Sequence, residues 1–403
     1  MIDRLSLVGA HEALFLLRSS LSSARFLHVL RCTDAQGESE ALRRIDDMFA
    51  ESLSKILNID LHQDQLQQAR LPLRMGGLGI RSVHDLAAPC ILSSLHSTEG
   101  LVKDLLAADV FPAFSSTLSG LVESFCSPGR TAPEKKRVQR EWDAVLCSET
   151  VAALQGNLTS NTDRARFLAV SSPGASNWLH CLPSASLGTH LDDNTVRICA
   201  GLRLGARIVT PHTCTCGQPV DASGTHGLSC RMSAGRWSRH TQINETFSRA
   251  LRSAQIPNLR EPPELCSADG RRPDGMTLIP FERGKALVWD GTVVDTLAPS
   301  YVDAGSLTAG AAVARAEAHK LHKYRDLTAN YMVVPLAFET LGGPGPATRT
   351  LLDSVGQQIE QVTGCKRARE YLLQRLSLDV QRGNAAAVMG TMAAYTGPHL
   401  DVV

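Results

Sequence analysis

Four residues near the middle of the chain constrain it most. Cys214, Cys216, His226 and Cys230 read as Cys-Thr-Cys, nine residues, His, three residues, Cys. Three thiols and one imidazole form a tetrahedral zinc set, and four protein ligands leave no open position, so such a zinc would be structural. The intervening loop carries Gly217, Pro219 and Gly224 and can fold back on itself. His226 and Cys230, four apart, share a face if that segment is helical. The one-residue gap in the first pair is tighter than the usual two, which keeps His212 open as a substitute ligand. The competing reading is a group of buried thiols acting as small hydrophobes. The chain has 11 cysteines, an odd number, and the other eight are dispersed. With no signal peptide expected, a disulfide framework is not.

A length of 403 residues leads to an expectation of two or three domains. Hydrophobic residues at 43% and charged residues at 20% exclude a wholly disordered chain. No stretch reaches the apolar length of a membrane-spanning helix. The first apolar run, Leu5 to Leu21, is broken by His11, Glu12 and Arg18 and lacks a small-residue cleavage site. The net charge of +1 conceals two asymmetries. Arginines number 33 against 8 lysines, and guanidinium suits phosphate forks and base stacking. Residues 197–252 carry a local net of +6, residues 33–64 a local net of −5. Such a surface can meet nucleic acid even when the average is neutral.

The apolar spacing predicts helices over most of residues 1–60, with Leu14, Leu17 and Leu21 on one face and Phe49, Leu53 and Ile56 on another. Gly76, Gly77 and Gly79 with Pro72 mark a turn, without the Lys-Ser/Thr of a phosphate-cradling loop. Helical patterning returns over 82–125. Cys126 to Lys136 reads as a linker, and further helices follow to about 204. Beyond the cysteines, a helix over 234–254 precedes two strands, Met276–Phe281 and Ala286–Asp295, joined by the four-residue loop Glu282–Lys285. A helix over 308–327, a strand over 331–339 and helices near 348–363 and 366–380 complete a mixed α/β order.

Asp274 stands at the head of the first strand and Asp290 inside the apolar run Val288–Val294. A charge there is costly unless paired or metal-bound. Two carboxylates on adjacent strands can share a hard divalent cation, Mg²⁺ or Mn²⁺, which activates water and steadies a phosphate. A lysine, Lys320 or Lys323, can stabilise developing charge. Glu245 offers a third carboxylate. Asp295 is an alternative that would face the other side of a straight strand. The bland alternative makes Asp274 a turn residue, Asp290 a buried ion-pair partner and the lysines a solvated face.

The order Cys-Cys-His-Cys, Arg239-His240, Arg272-Pro273-Asp274, Trp289-Asp290 and Lys320-x-x-Lys323-Tyr324 resembles the C-terminal part of non-LTR retrotransposon proteins. These carry a restriction-enzyme-like endonuclease of the PD-(D/E)xK superfamily behind a zinc knuckle. Residues 11–32 look like the thumb, Ala69 to Arg81 like the segment after the reverse transcriptase core, and Gln374 to Ala385 like the tail of such proteins. The resemblance implies a multi-domain chain: an all-α N-terminal half, a zinc knuckle, then an α/β restriction-endonuclease-like domain. Its parts would be a thumb and linker region (1–125), a helical linker (126–210), the knuckle (211–233), the endonuclease domain (234–385) and a tail (386–403).

The implied roles follow. Cys214, Cys216, His226 and Cys230 would bind zinc and help grip nucleic acid. Asp274 and Asp290 would hold the catalytic metal, and Lys320 or Lys323 would be the active-site lysine. Arg231, Arg236, Arg239, Arg249 and Arg252, with His240, would contact DNA phosphates, and Trp237 would either stack on a base or pack in a core. The intact element would nick target DNA in the nucleus to prime reverse transcription of its RNA. A polymerase needs an Asp-Asp pair on a hairpin. Asp46-Asp47 and Asp192-Asp193 lie instead in a helix and at a helix start, so no polymerase activity is expected from this chain alone. The rival expectation is a catalytically inactive nucleic-acid-binding fragment.

Overall fold

The computed structural model describes residues 2–107, 110–127, 129–233, 235–266 and 272–392. Arg271, part of the Cys126–Lys136 linker (Pro128) and the last residues of the tail lie outside them. The chain is helix-rich with a small mixed sheet. It divides into two compact units, Met1–Leu158 and Thr159–Val403. No described helix is long and apolar enough to cross a membrane.

The principal helices of the first unit are α1 (Ser39–Leu57), α2 (Val83–Leu105), α3 (Phe111–Cys126) and α4 (Gln139–Asn157). Helix α1 buries Leu42, Phe49, Leu53 and Ile56, the helical spacing of its apolar residues, and stops at Asn58 in the left-handed conformation. The glycine segment makes the expected turn. A Cβ on Gly77 would lie 1.9 Å from the Leu71 carbonyl oxygen, so only glycine fits. Asp46 is buried and accepts from the Val83 amide at 2.7 Å at the start of α2. Trp142 of α4 sits edge-on to Phe125 of α3, with centroids 5.0 Å apart.

The second unit opens with α5 (Asn161–Val170) and α6 (Asp193–Leu204). Asp192 caps α6, accepting from the Thr195 amide at 2.9 Å. Both Asp-Asp pairs therefore serve helices. A two-stranded ribbon, β1 (His212–Thr213) and β2 (Pro219–Val220), precedes α7 (Gly235–Ser253). The main sheet has the order β3-β4-β5-β6, from β3 (Asn258–Arg260), β4 (Gly275–Glu282), β5 (Lys285–Val294) and β6 (Met332–Glu339). Strand β5 runs antiparallel to β4 and parallel to β6. The parallel crossover contains α8 (Val302–Leu307) and α9 (Ala311–Lys323), and α10 (Pro346–Thr363) and α11 (Ala368–Met389) close the unit. Leu287 and Trp289 of β5 face a core shared with Ile243 and Phe247 of α7 and with α10 and α11. On the other face, Val294 and Ala337 pack against Ala312, Val313 and Ala316 of α9.

Three expectations are corrected. The loop of the hairpin is two residues, not four, because Glu282 pairs with Lys285. Arg283 (φ 51°) and Gly284 (φ 74°) take the left-handed conformation that such tight turns use. Strand β3 went unanticipated, being only three residues long. The last helix runs to Met389 rather than 380.

Gly275 is required by the sheet's core: a Cβ there would sit 2.1 Å from Cζ2 of the fully buried Trp289. Gly275→Ala is expected to destabilise the second unit by about 1–3 kcal/mol through overpacking. Denaturant unfolding followed by tryptophan emission checks this; an unchanged midpoint would contradict the packing argument.

Candidate functional site

The cysteine loop folds back as its glycines allow. Gly217 (φ 83°) turns the chain after Cys216, and the Cys214 amide donates to the Gln218 carbonyl at 2.9 Å. His226 and Cys230 lie at the ends of one helical turn, with the Cys230 amide bonded to the His226 carbonyl at 3.1 Å. One ligand atom from each of Cys214, Cys216, His226 and Cys230 lies within 4.8 Å of all the others. The Cys214 and Cys230 sulfurs are 3.7 Å apart, and Cys216 Sγ is 3.3 Å from His226 Nε2. The first distance is too long for a disulfide. Both distances match the edges of a tetrahedron with metal–sulfur bonds of about 2.3 Å and a metal–nitrogen bond of about 2.0 Å. The cluster could hold a metal ion such as zinc. Burial pushes the Cys214 thiol up, but hydrogen bonds from the Cys216 amide and side chain outweigh it and bring it down to about 6. Burial, with the neighbouring thiols, leaves Cys230 above its ordinary value. His212 is not a ligand: its ring bonds the Thr210 carbonyl at 2.8 Å and Thr391 Oγ1 at 3.0 Å.

The second constellation surrounds the start of β4 and the middle of β5. Asp274 Oδ2 accepts from the Gly291 amide at 2.6 Å, from Asn244 Nδ2 at 3.1 Å and from His240 Nε2 at 2.9 Å. His240 and Asn244 are four apart on α7, hence on one face. Asn244 is fully buried, and its Oδ1 accepts from Trp289 Nε1 at 3.1 Å, which fixes the amide's orientation. Sequence reasoning missed Asn244; the spacing His240-x-x-x-Asn244 was the available signal. Asp290, also buried, is ion-paired with Lys320 of α9 and accepts from the Tyr324 hydroxyl at 3.0 Å. Both acids are thus held, Asp274 from α7 beside His240 and Asp290 from α9 beside Lys320. Their partners His240 and Lys320 line an open cleft of about 480 Å³, together with Arg231, Trp237, Arg239 and Gly291, among others.

Other expected site residues are placed elsewhere. Glu245 lies one residue beyond Asn244, which turns it off that face. Its carboxylate is engaged by Arg249 at 2.8 Å and Arg260 at 3.2 Å, so it does not join the two aspartates. Asp295 accepts from the Leu297 amide at 3.1 Å and belongs to a buried network with Thr340. Lys323 bonds the Tyr324 hydroxyl at 2.6 Å, leaving Lys320 as the lysine at Asp290. Arg239 is corrected as a phosphate contact. It is buried, and its guanidinium donates to Asn384 Oδ1 at 2.7 Å, tying α7 to α11. Arg231 is exposed on the cleft, and Arg249 and Arg252 are exposed on α7. The side chain of Arg236 lies outside the described residues.

Asp274 and His240 polarise each other. Burial raises the Asp274 carboxyl, but the His240 hydrogen bond and charge, then Gly291 and Asn244, outweigh it and hold it below 3.8. The Asp274 hydrogen bond lifts His240 above 6.5 against burial. The aspartate's contribution to stability is therefore present above 3.8 and lost as pH falls through its lowered value. The histidine's is present below 6.5 and lost as pH rises through its raised one. A proton NMR titration should place His240 above 6.5, and Asp274→Asn should lower that midpoint; an unmoved midpoint would refute the pairing. For the cysteine cluster, purified protein should carry about one zinc per chain. Cys216→Ser should lose most of it, and metal content equal in parent and variant would exclude this set. No family model matches the chain, and no curated protein matches it.

Proposed function

We propose that the second unit is a metal-dependent endonuclease of the restriction-enzyme-like kind, from the C-terminal part of a non-LTR retrotransposon protein. The observation that carries the reading is that His240 and Lys320, the partners of Asp274 and Asp290, line one open cleft together. The oxygen donors of the two aspartates fit a hard cation such as Mg²⁺ or Mn²⁺. When bound there, such an ion would lower the pKa of a water and offset phosphate charge. Lys320 supplies positive charge to a phosphate entering the cleft. His240 has Nε2 committed to Asp274, so it addresses substrate through Nδ1. Arg231 adds a cation at the rim. The Cys/His cluster binds zinc structurally and, through α7, supports the cleft. Polymerase chemistry is not assigned to this chain, because Asp46 and Asp192 both serve helix starts.

Two observations favour a second reading, a nucleic-acid-binding fragment without hydrolytic chemistry. Each carboxylate is already engaged, Asp274 by His240 and Asp290 by Lys320. Among the described residues, the Cys/His cluster is the one group of three or more candidate ligands that converge. Nicking of supercoiled plasmid in Mg²⁺ separates the readings. The endonuclease reading expects parent activity to fall at least about 100-fold in Asp274→Ala and Asp290→Ala, the scale of losing a preorganised charge at the reacting centre. No nicking with DNA still bound selects the binding reading, and equal nicking by all three proteins refutes this site.

A further inference from the structure

We infer that Trp237 is a stacking platform that holds an unpaired base at the cleft, so that the preferred ligand is single-stranded or frayed DNA rather than closed duplex. The inference rests on the reading of this cleft as a nucleic-acid site. Its basis is a contrast among the four tryptophans. Trp142, Trp178 and Trp289 are at most 1% exposed, whereas Trp237 is 78% exposed. An indole left in water at this level forgoes the burial that would stabilise it. Its place is equally specific. It lines the cleft with Arg231, His240 and Lys320, all cationic or able to become so. On α7 it stands three residues before His240, on the same side of the helix and one turn away from the His240–Asp274 pair.

The helix start that presents it is fixed. A Cβ on Gly235 would meet the Ala387 amide nitrogen at 2.4 Å, so the backbone of α7 lies directly against α11 two residues before Trp237. A rigidly mounted, solvent-facing aromatic beside cationic side chains is the arrangement that binds single strands, with the ring taking the base and the cations the phosphates. A closed duplex keeps its bases stacked within the helix and offers the ring no free face.

The test is binding without divalent cation, so that no cleavage occurs. Probes are a single-stranded oligodeoxynucleotide and a blunt duplex of equal length, read by anisotropy and by intrinsic tryptophan emission. Because the other tryptophans are buried, quenching by the single strand reports Trp237. Trp237→Ala should weaken single-strand binding about tenfold or more and leave duplex binding nearly unchanged, and Trp237→Phe should restore most of the loss. Circular dichroism should match the parent, since the side chain is exposed. Equal effects of Trp237→Ala on both probes, or unquenched emission with single strand bound, overturn the inference. If nicking still depends on Asp290 under those results, the endonuclease reading survives. If neither DNA binds, the nucleic-acid reading fails with it.

Discussion

The hydrogen bond from Trp289 Nε1 to Asn244 Oδ1 is the contact on which the cleft depends. Both residues are fully buried, one on the central strand and one on the helix that covers it. Once the indole fixes the carbonyl end of the amide, Nδ2 must point the other way, to Asp274. Asp274 then orients His240. A buried chain of this kind gains from low polarity only while every member is satisfied, and losing one link strands the rest. Gly291 is part of the same fit: a Cβ there would meet Asn244 Nδ2 at 2.8 Å and Asp274 Oδ2 at 3.2 Å. The apolar core and the acidic site are therefore a single packing problem.

On the opposite face of the sheet, buried carboxylates do the positioning. Glu339, at the end of β6, accepts from the Val313 amide in the first turn of α9 at 3.0 Å. Glu317, within α9, accepts from the Thr348 amide at the start of α10 at 2.9 Å. Each places negative charge at a helix N-terminus, where the exposed amides and the helix dipole favour it. Burial still holds the Glu339 carboxyl above its ordinary value. Helix α9 is thereby fixed at its own start and to the next helix, and Lys320, one turn beyond Glu317, is delivered to Asp290.

What the sequence disclosed follows from range. The converging Cys/His residues and the hairpin are local patterns, and spacing alone marks them. The hairpin's turn was misjudged because Glu282 and Lys285 look like loop residues until their pairing across the strands is known. Arg239 and Arg231 are indistinguishable as arginines, yet one is buried against Asn384 and the other faces solvent. Trp237 presented the reverse ambiguity, since its type favours burial and its surroundings expose it. Asn244 left almost no trace, because its importance lies in Trp289, 45 residues away in sequence. Charge and periodicity give local structure, while burial is set by packing between distant segments.

The Cys/His cluster and the cleft look separate in sequence but share a support. A Cβ on Gly227, within the cluster's helical turn, would meet the Ala387 carbonyl oxygen at 2.6 Å, and Gly235 lies against the same residue's amide. Ser233 Oγ also donates to the Ala387 carbonyl at 3.1 Å. Arg239 closes the loop, reaching Asn384 on one side and the Leu228 carbonyl of the cluster on the other at 3.4 Å. The last turns of α11 therefore register both the cluster and the start of α7. A small loop with few apolar side chains cannot hold such a register by burial alone. A tetrahedral metal would hold it covalently. With a metal bound, the cluster would fix where α7 begins and so the positions of Trp237 and His240 on that helix.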